Sequence, residues 1–145
     1  MRKRSRVILL AIAALGVSCS SYFIADYSEA VDGGATRLQQ KVDGFLTGLQ
    51  STAGTAEGEY AGHEEFYAEA RSDIDELRAA AALKRGNDLT LQSLDLIADN
   101  LDKLERMHAQ GISAKEIAIV RQLFDTQFRM LVQLENAKKR KENAS

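Results

Sequence analysis

Residues 94–120 read LDLIADNLDKLERMHAQGISAKEIAIV, and this stretch decides the fold. Leu94, Ile97, Leu101 and Leu104 step by three and four, with His108 next in the same register. That spacing lays a single apolar stripe along one face of a helix. The run then stops. Gly111 can enter the left-handed region that ends a helix, and Ser113 with Glu116 forms a capping box for the next one. Ile117 and Val120 restart the stripe beyond the break. Two helices joined by so short a turn run antiparallel, and neither can bury its own stripe unaided.

The same spacing extends in both directions. Toward the C-terminus it continues through Phe124, Leu131 and Leu134, widened by Leu123, Phe128 and Val132. Toward the N-terminus a second stripe holds Tyr60, Tyr67, Ala70, Ile74, Leu77 and Ala81, with His63 in register. It closes at Lys84-Arg85-Gly86, cations near the negative end of the helix dipole followed by a glycine. Asn87 or Asp88 then caps the following helix. The first stripe is Ile24, Val31, Ala35, Leu38, Val42, Phe45 and Leu49, with Ser28 as its one polar member.

Glycines leave two points open. The stripe keeps register across Gly33-Gly34, which favours one continuous or slightly kinked helix over a linker ending at Asp32. Between Ser51 and Gly62, glycines recur at 54, 58 and 62, each costing a helix interior about 1 kcal/mol relative to alanine. Either the second helix begins late, near Tyr60, or these glycines allow two backbones to approach closely. The expected architecture is all-α, an antiparallel up-down-up-down four-helix bundle, with helices at roughly 22–51, 57–85, 89–110 and 114–141.

Composition agrees. The 145 residues include no proline and no tryptophan, and helix formers dominate. No alternating β-branched run bounded by turn signals predicts a strand. There is a single cysteine, Cys19, so the body beyond it can form no internal disulfide and depends on packing.

The N-terminus carries an address. Met1-Arg2-Lys3-Arg4-Ser5-Arg6 is a basic head, and an uncharged run follows from Val7 to Ser18, ending in small residues before Cys19. The run Leu15-Gly16-Val17-Ser18-Cys19 resembles the lipobox of bacterial lipoproteins. The resemblance implies cleavage after residue 18, lipid modification of Cys19, a short tether over 19–21 and a single helical domain over 22–145. The alternative is an uncleaved inner-membrane signal anchor, since Val7 to Ala25 is nineteen uncharged residues, long enough to cross a bilayer core. Under the positive-inside rule both readings place the body outside the inner membrane. Ser20 and Ser21, with no aspartate after the cysteine, resemble the enteric signal for onward transport and favour the outer membrane over the inner.

Four of the 19 Lys and Arg residues fall in the leader, so residues 19–145 hold 15 bases against 21 acids, net −6. An acidic body has no electrostatic case for nucleic acid. Lys138, Lys139, Arg140 and Lys141 end the last helix, where dipole compensation and solvation account for them; the sharper reading is contact with an anionic membrane surface.

Few residues could carry chemistry. Measured from Asn87, His63 lies 24 residues back and His108 lies 21 forward, so in an antiparallel pair they sit about 4.5 Å apart along the axis. Glu59 is one turn from His63, and Glu105 with His108 makes a Glu-x-x-His. His63, His108, Glu59 and Glu105 are therefore the candidate metal ligands, although di-iron bundles use two such motifs and further glutamates. The plain alternative is a hydrogen-bonded histidine pair at a bundle end. Eight acids lie between Glu57 and Glu76 against one base, Arg71. This is a solvated helix face or, more sharply, a docking surface in which Glu57, Glu64, Glu65, Phe66 and Glu69 meet a basic partner. No phosphate loop, haem-attachment motif or nucleophile elbow is present.

The leading expectation is a non-catalytic, lipid-anchored bundle facing the periplasm. It would be an interaction or accessory protein of the envelope, held to the membrane through Cys19, with an envelope protein as partner and no cofactor. The second is a ligand- or metal-binding module using the His63/His108 end, similar in architecture to the four-helix ligand-binding domains of chemoreceptors.

Overall fold

The computed structural model describes residues 25–144, and every regular element among them is helical. Helix α1 spans Glu29–Thr52, α2 Glu64–Ala82, α3 Asp88–Ala109 and α4 Ala114–Asn143. Two 3-10 turns, Ala56–Gly58 and Tyr60–Gly62, occupy the connection from α1 to α2. The leader 1–18, Cys19 with its tether to residue 21, and the alternative membrane helix up to residue 24 lie outside the described residues. Among those described, no helix is long and apolar enough to cross a membrane.

The helices close into a ring in which α1 packs on α2 and α4, and α3 packs on the same two. Cross-helix pairs fix the directions, because one partner's number falls as the other's rises. Lys41 meets Asp73 while Phe45 meets Phe66; Arg71 meets Asp102 while Arg78 meets Asp95. Gln39 reaches Asp125 and Asp43 reaches Arg121; Asn87 meets Lys138 and Thr90 meets Glu135. All four contacts are antiparallel, the expected up-down-up-down bundle. Its base holds the start of α1, the α2–α3 turn and the end of α4. Its distal end holds the α1–α2 connection and the α3–α4 turn.

Several boundaries differ from the sequence-based expectation, each for a local reason. Helix α1 begins at Glu29 rather than 22 because Ser28 is its N-cap: the hydroxyl accepts the Val31 amide at 3.4 Å and the Ser28 carbonyl accepts the Asp32 amide at 3.0 Å. It runs unbroken through Gly33-Gly34, so no linker ends at Asp32. Gly34 lets α2 close in, since a Cβ there would stand 2.4 Å from Leu77 Cδ2. Helix α2 begins at Glu64, not 57, and both readings of the glycines hold. The helix starts late, and a Cβ on Gly58 would lie 2.3 Å from the Thr52 carbonyl oxygen. That helix ends at Ala82, leaving Lys84 and Arg85 in the turn before Gly86, whose φ is +71°. Helix α3 covers 88–109 rather than 89–110, and α4 continues two residues past 141. The Ser113–Glu116 capping box forms as read: Ser113 Oγ accepts the Glu116 amide at 3.3 Å, and Glu116 Oε2 accepts the Ser113 amide at 2.9 Å.

The core joins all four stripes: Leu38, Val42 and Leu49 of α1, Tyr67, Ile74 and Leu77 of α2, Leu94, Ile97, Leu101 and Leu104 of α3, and Phe124, Phe128 and Leu131 of α4. At the level where the sequence stripe passes through Phe45, the fully buried residue is its neighbour Leu46, and Phe45 is only half-buried. In α4 the stripe does not pass through Leu134, which is half-buried. It runs from Leu131 to Glu135 and Lys138, at 0% and 3% exposure.

Lys138 is therefore not part of a solvated basic tail. Its ammonium donates to Glu135 Oε1 at 2.6 Å, to Thr90 Oγ1 at 2.6 Å and to Asn87 Oδ1. Thr90 donates to the same Glu135 oxygen at 2.8 Å, and Glu135 Oε2 is buried without a partner. Asn87 stands at the N-cap position of α3 but does not cap it. Its amide instead donates to the Ala81 carbonyl at 2.9 Å, tying the end of α2 to α4 through Lys138. An ion pair taken out of water costs several kcal/mol per ion, which the mutual attraction and hydrogen bonds must offset. Removing one partner strands the other. Lys138→Met is thus expected to lose about 3–5 kcal/mol in urea unfolding, whereas Glu135→Leu with Lys138→Met should be at least as stable as the parent.

Candidate functional site

The distal end gathers both histidines, as their register predicts. The rings of His63 and His108 lie 5.5 Å apart between centroids, tilted by 35°. His108 sits on the buried face of α3 at 3% exposure, and His63 is half-buried at the start of α2. Around them the aromatic residues interlock. Phe45 stacks on Phe66 at 3.6 Å, both packing edge-on to Tyr67, and Tyr60 stands edge-on to His108 at 5.7 Å. Such contacts add roughly 0.5–1.5 kcal/mol per pair beyond simple burial.

Hydrogen bonds define the state of His108. Its Nε2 lies 2.9 Å from the Gly58 carbonyl, which can only accept, so Nε2 carries a proton. The other ring nitrogen, Nδ1, pairs with the Tyr67 hydroxyl 2.8 Å away. His63 does the same for the adjacent peptide, its Nε2 donating to the Glu57 carbonyl at 2.9 Å. Two histidines 45 residues apart thus hold consecutive carbonyls of one connection. Tyr60 adds a third tie, donating to Glu105 Oε1 at 2.8 Å.

These ties occupy two of the four candidate metal donors fully, His108 and Glu105, and one nitrogen of a third, His63. Both nitrogens of His108 are taken, and Glu105 accepts from Tyr60 through Oε1 and from Arg71 through Oε2. Burial works against the charge on Glu105, but the Arg71 and Tyr60 hydrogen bonds outweigh it and hold the carboxyl below its usual range. Glu59 is exposed, and its backbone serves the two 3-10 turns. Among the described residues, no three His, Cys, Asp or Glu side chains are grouped to share a metal ion.

The acidic residues singled out from the sequence divide. Glu57, Glu64, Glu65 and Glu69 are exposed, Glu69 at 3.4 Å from Lys41, whereas Phe66 is half-buried against Phe45 and belongs to the core margin. Next to them an open groove of about 810 Å³ runs between the α1–α2 connection and the α3–α4 turn. Thr55, Glu59, Tyr60, His108, Gln110 and Ser113 are among its lining residues. Sequence reasoning missed the Tyr67–His108 pair. Its signal was present in two stripe residues, one phenol and one imidazole, at matching distances from the α2–α3 turn.

The chain matches no known protein family, and no curated protein or solved structure resembles it significantly. Burial pushes the Tyr67 phenol well above its ordinary value near 10. A raised folded-state value means a contribution to stability that is complete below about pH 10 and declines as pH rises beyond it. Tyr67→Phe should cost about 1–2 kcal/mol at pH 7, because Nδ1 of His108 is left buried and unpaired. The same variant should lose stability less steeply above pH 10 in pH-dependent urea unfolding.

Proposed function

We propose that this chain is a lipid-anchored protein of the bacterial cell envelope, facing the periplasm, with the outer membrane as the favoured site. Its bundle acts without catalysis, as an interaction or accessory module. The observation that carries this reading is the lipobox-like run ending at Cys19 ahead of a helical body. The geometry of the distal end supports the non-catalytic part. His63 and His108 are spent on backbone carbonyls, and Glu105 on Arg71 and Tyr60. Among the described residues, none of these groups hydrogen-bonds a serine or threonine hydroxyl as a nucleophile–base pair does. What this end offers is the exposed carboxylates of Glu57, Glu64 and Glu65, on a backbone underlain by the Phe45, Phe66 and Tyr67 cluster. That surface fits a basic segment of an envelope partner. A second reading, a small-ligand module, is favoured by the groove beside His108; a ligand selective for the folded state would raise the melting temperature.

Metabolic labelling with a radioactive fatty acid checks the anchor. The wild-type chain should take up label and fractionate with membranes, and Cys19→Ala should lose both. Unlabelled chain that stays in the membrane after Cys19→Ala would indicate the signal-anchor alternative. Chain recovered in the cytosol with its leader intact would defeat both.

A further inference from the structure

Resting on the anchored reading above, we propose that the base of the bundle is a second membrane contact. In it, Leu83 dips into an anionic bilayer surface while Lys84, Arg85 and the α4 terminus bind lipid headgroups, standing the bundle upright.

Three observations meet at this base. The first is where the chain leaves the described structure. Ala25 stands four residues before Glu29, the first of α1, and the Tyr27 ring lies 5.0 Å from the Lys139 ammonium at the end of α4. Asn87, in the α2–α3 turn, holds Lys138 of the same α4 end. The exit point, the α2–α3 turn and the α4 terminus are thus one surface. Only residues 19–24 would separate a lipidated Cys19 from Ala25, a reach of at most about 20 Å. The signal-anchor alternative leaves less. Either way this face is held beside the bilayer at high effective concentration.

The second observation is Leu83, 86% exposed at the tip of the turn, the most exposed large apolar side chain described. Leu89, the second residue of α3, is 55% exposed. Apolar side chains gain by entering the boundary between headgroups and acyl chains. The third is charge. The base carries Lys84, Arg85, Lys139, Arg140 and Lys141 against Asp26, Glu29, Asp32, Asp88 and Glu142, an even balance. The distal end carries Glu57, Glu59, Glu64, Glu65 and Glu116 against Arg106 and Lys115. In a body of net negative charge, the face nearest the membrane is the one that anionic lipid repels least, and its most prominent turn is basic. Upright docking then points the acidic end away from the membrane, about 33 Å along the 22 residues of α3.

The chain has no tryptophan, so a single introduced one reports its own surroundings. Full-length Leu83→Trp, reconstituted into vesicles containing phosphatidylglycerol, should show blue-shifted emission. Brominated lipids should quench it roughly twofold at the shallow depth expected of an interfacial contact. Leu123→Trp, mid-bundle and also exposed, should stay unquenched, which controls for tryptophan's own preference for interfaces. Adding Lys84→Glu and Arg85→Glu to Leu83→Trp should abolish the quenching without lowering the melting temperature. If the Leu83→Trp variant is unquenched while it carries lipid label and floats with the vesicles, the docked base is refuted and the anchor stands. If the full chain neither takes label nor floats, the anchored reading fails and the docked base with it.

Discussion

Mutual burial of four stripes is the constraint on which this structure depends. Beyond Cys19 no cysteine remains to form a cross-link, so nothing covalent holds the helices together. Each of Leu38, Leu46, Ile74, Leu94, Leu101, Phe124, Phe128 and Leu131 is essentially removed from water. Burying such a side chain is worth about 1.5–3 kcal/mol, and their sum opposes the conformational entropy of ordering the chain. This force has no direction. It favours any arrangement that hides the stripes, including one in which a helix slips by a turn.

Selection among those arrangements falls to buried polar groups, and α3 contributes to them at both ends. At the base, Thr90 and Asn87 meet Lys138 and Glu135 of α4; at the distal end, His108 meets Tyr67 of α2 and the Gly58 carbonyl. A one-turn slip of α4 would move Lys138 by about 5.4 Å and strand a buried charge. A slip of α2 would part Tyr67 from His108. Outer ion pairs, such as Arg121 with Asp43 and Lys41 with Asp73, repeat the same register in solvent. Each is half-exposed and individually of small consequence.

The all-α class, the number of helices and the antiparallel order were legible because they rest on apolar spacing and on turn chemistry at Gly86, Gly111 and Ser113. The histidine pair was legible in level, since both distances count from one turn. Three things were not. Lys138 opens the run Lys138-Lys139-Arg140-Lys141, and nothing local distinguishes the one buried lysine. Its position seven residues beyond Leu131, with Glu135 four beyond, was the available signal. Asn87 has the composition of a cap, yet tertiary contacts claim its amide. The start of α2 was open because a glycine spacing states that backbones can approach, not whether the approaching segment is helical. Gly58 resolves this by lying against the Thr52 carbonyl in a 3-10 turn.

The division of polar residues also bears on function. Side chains able to do acid–base or ligand chemistry have been drawn into holding the α1–α2 connection, which spans 53–63 and would otherwise be a mobile cap. His63 and His108 fix its peptide carbonyls and Glu105 fixes Tyr60, with Arg71 held in turn by Glu105 and Asp102. Rigidity of this kind has little value in a loop that must open around a substrate. Under the proposed interaction role, a backbone ordered in advance would lose less entropy when a partner binds. The carboxylates left free by this arrangement, Glu57, Glu64 and Glu65, lie at the end opposite the chain's exit, where a tethered bundle would expose them furthest from its anchor.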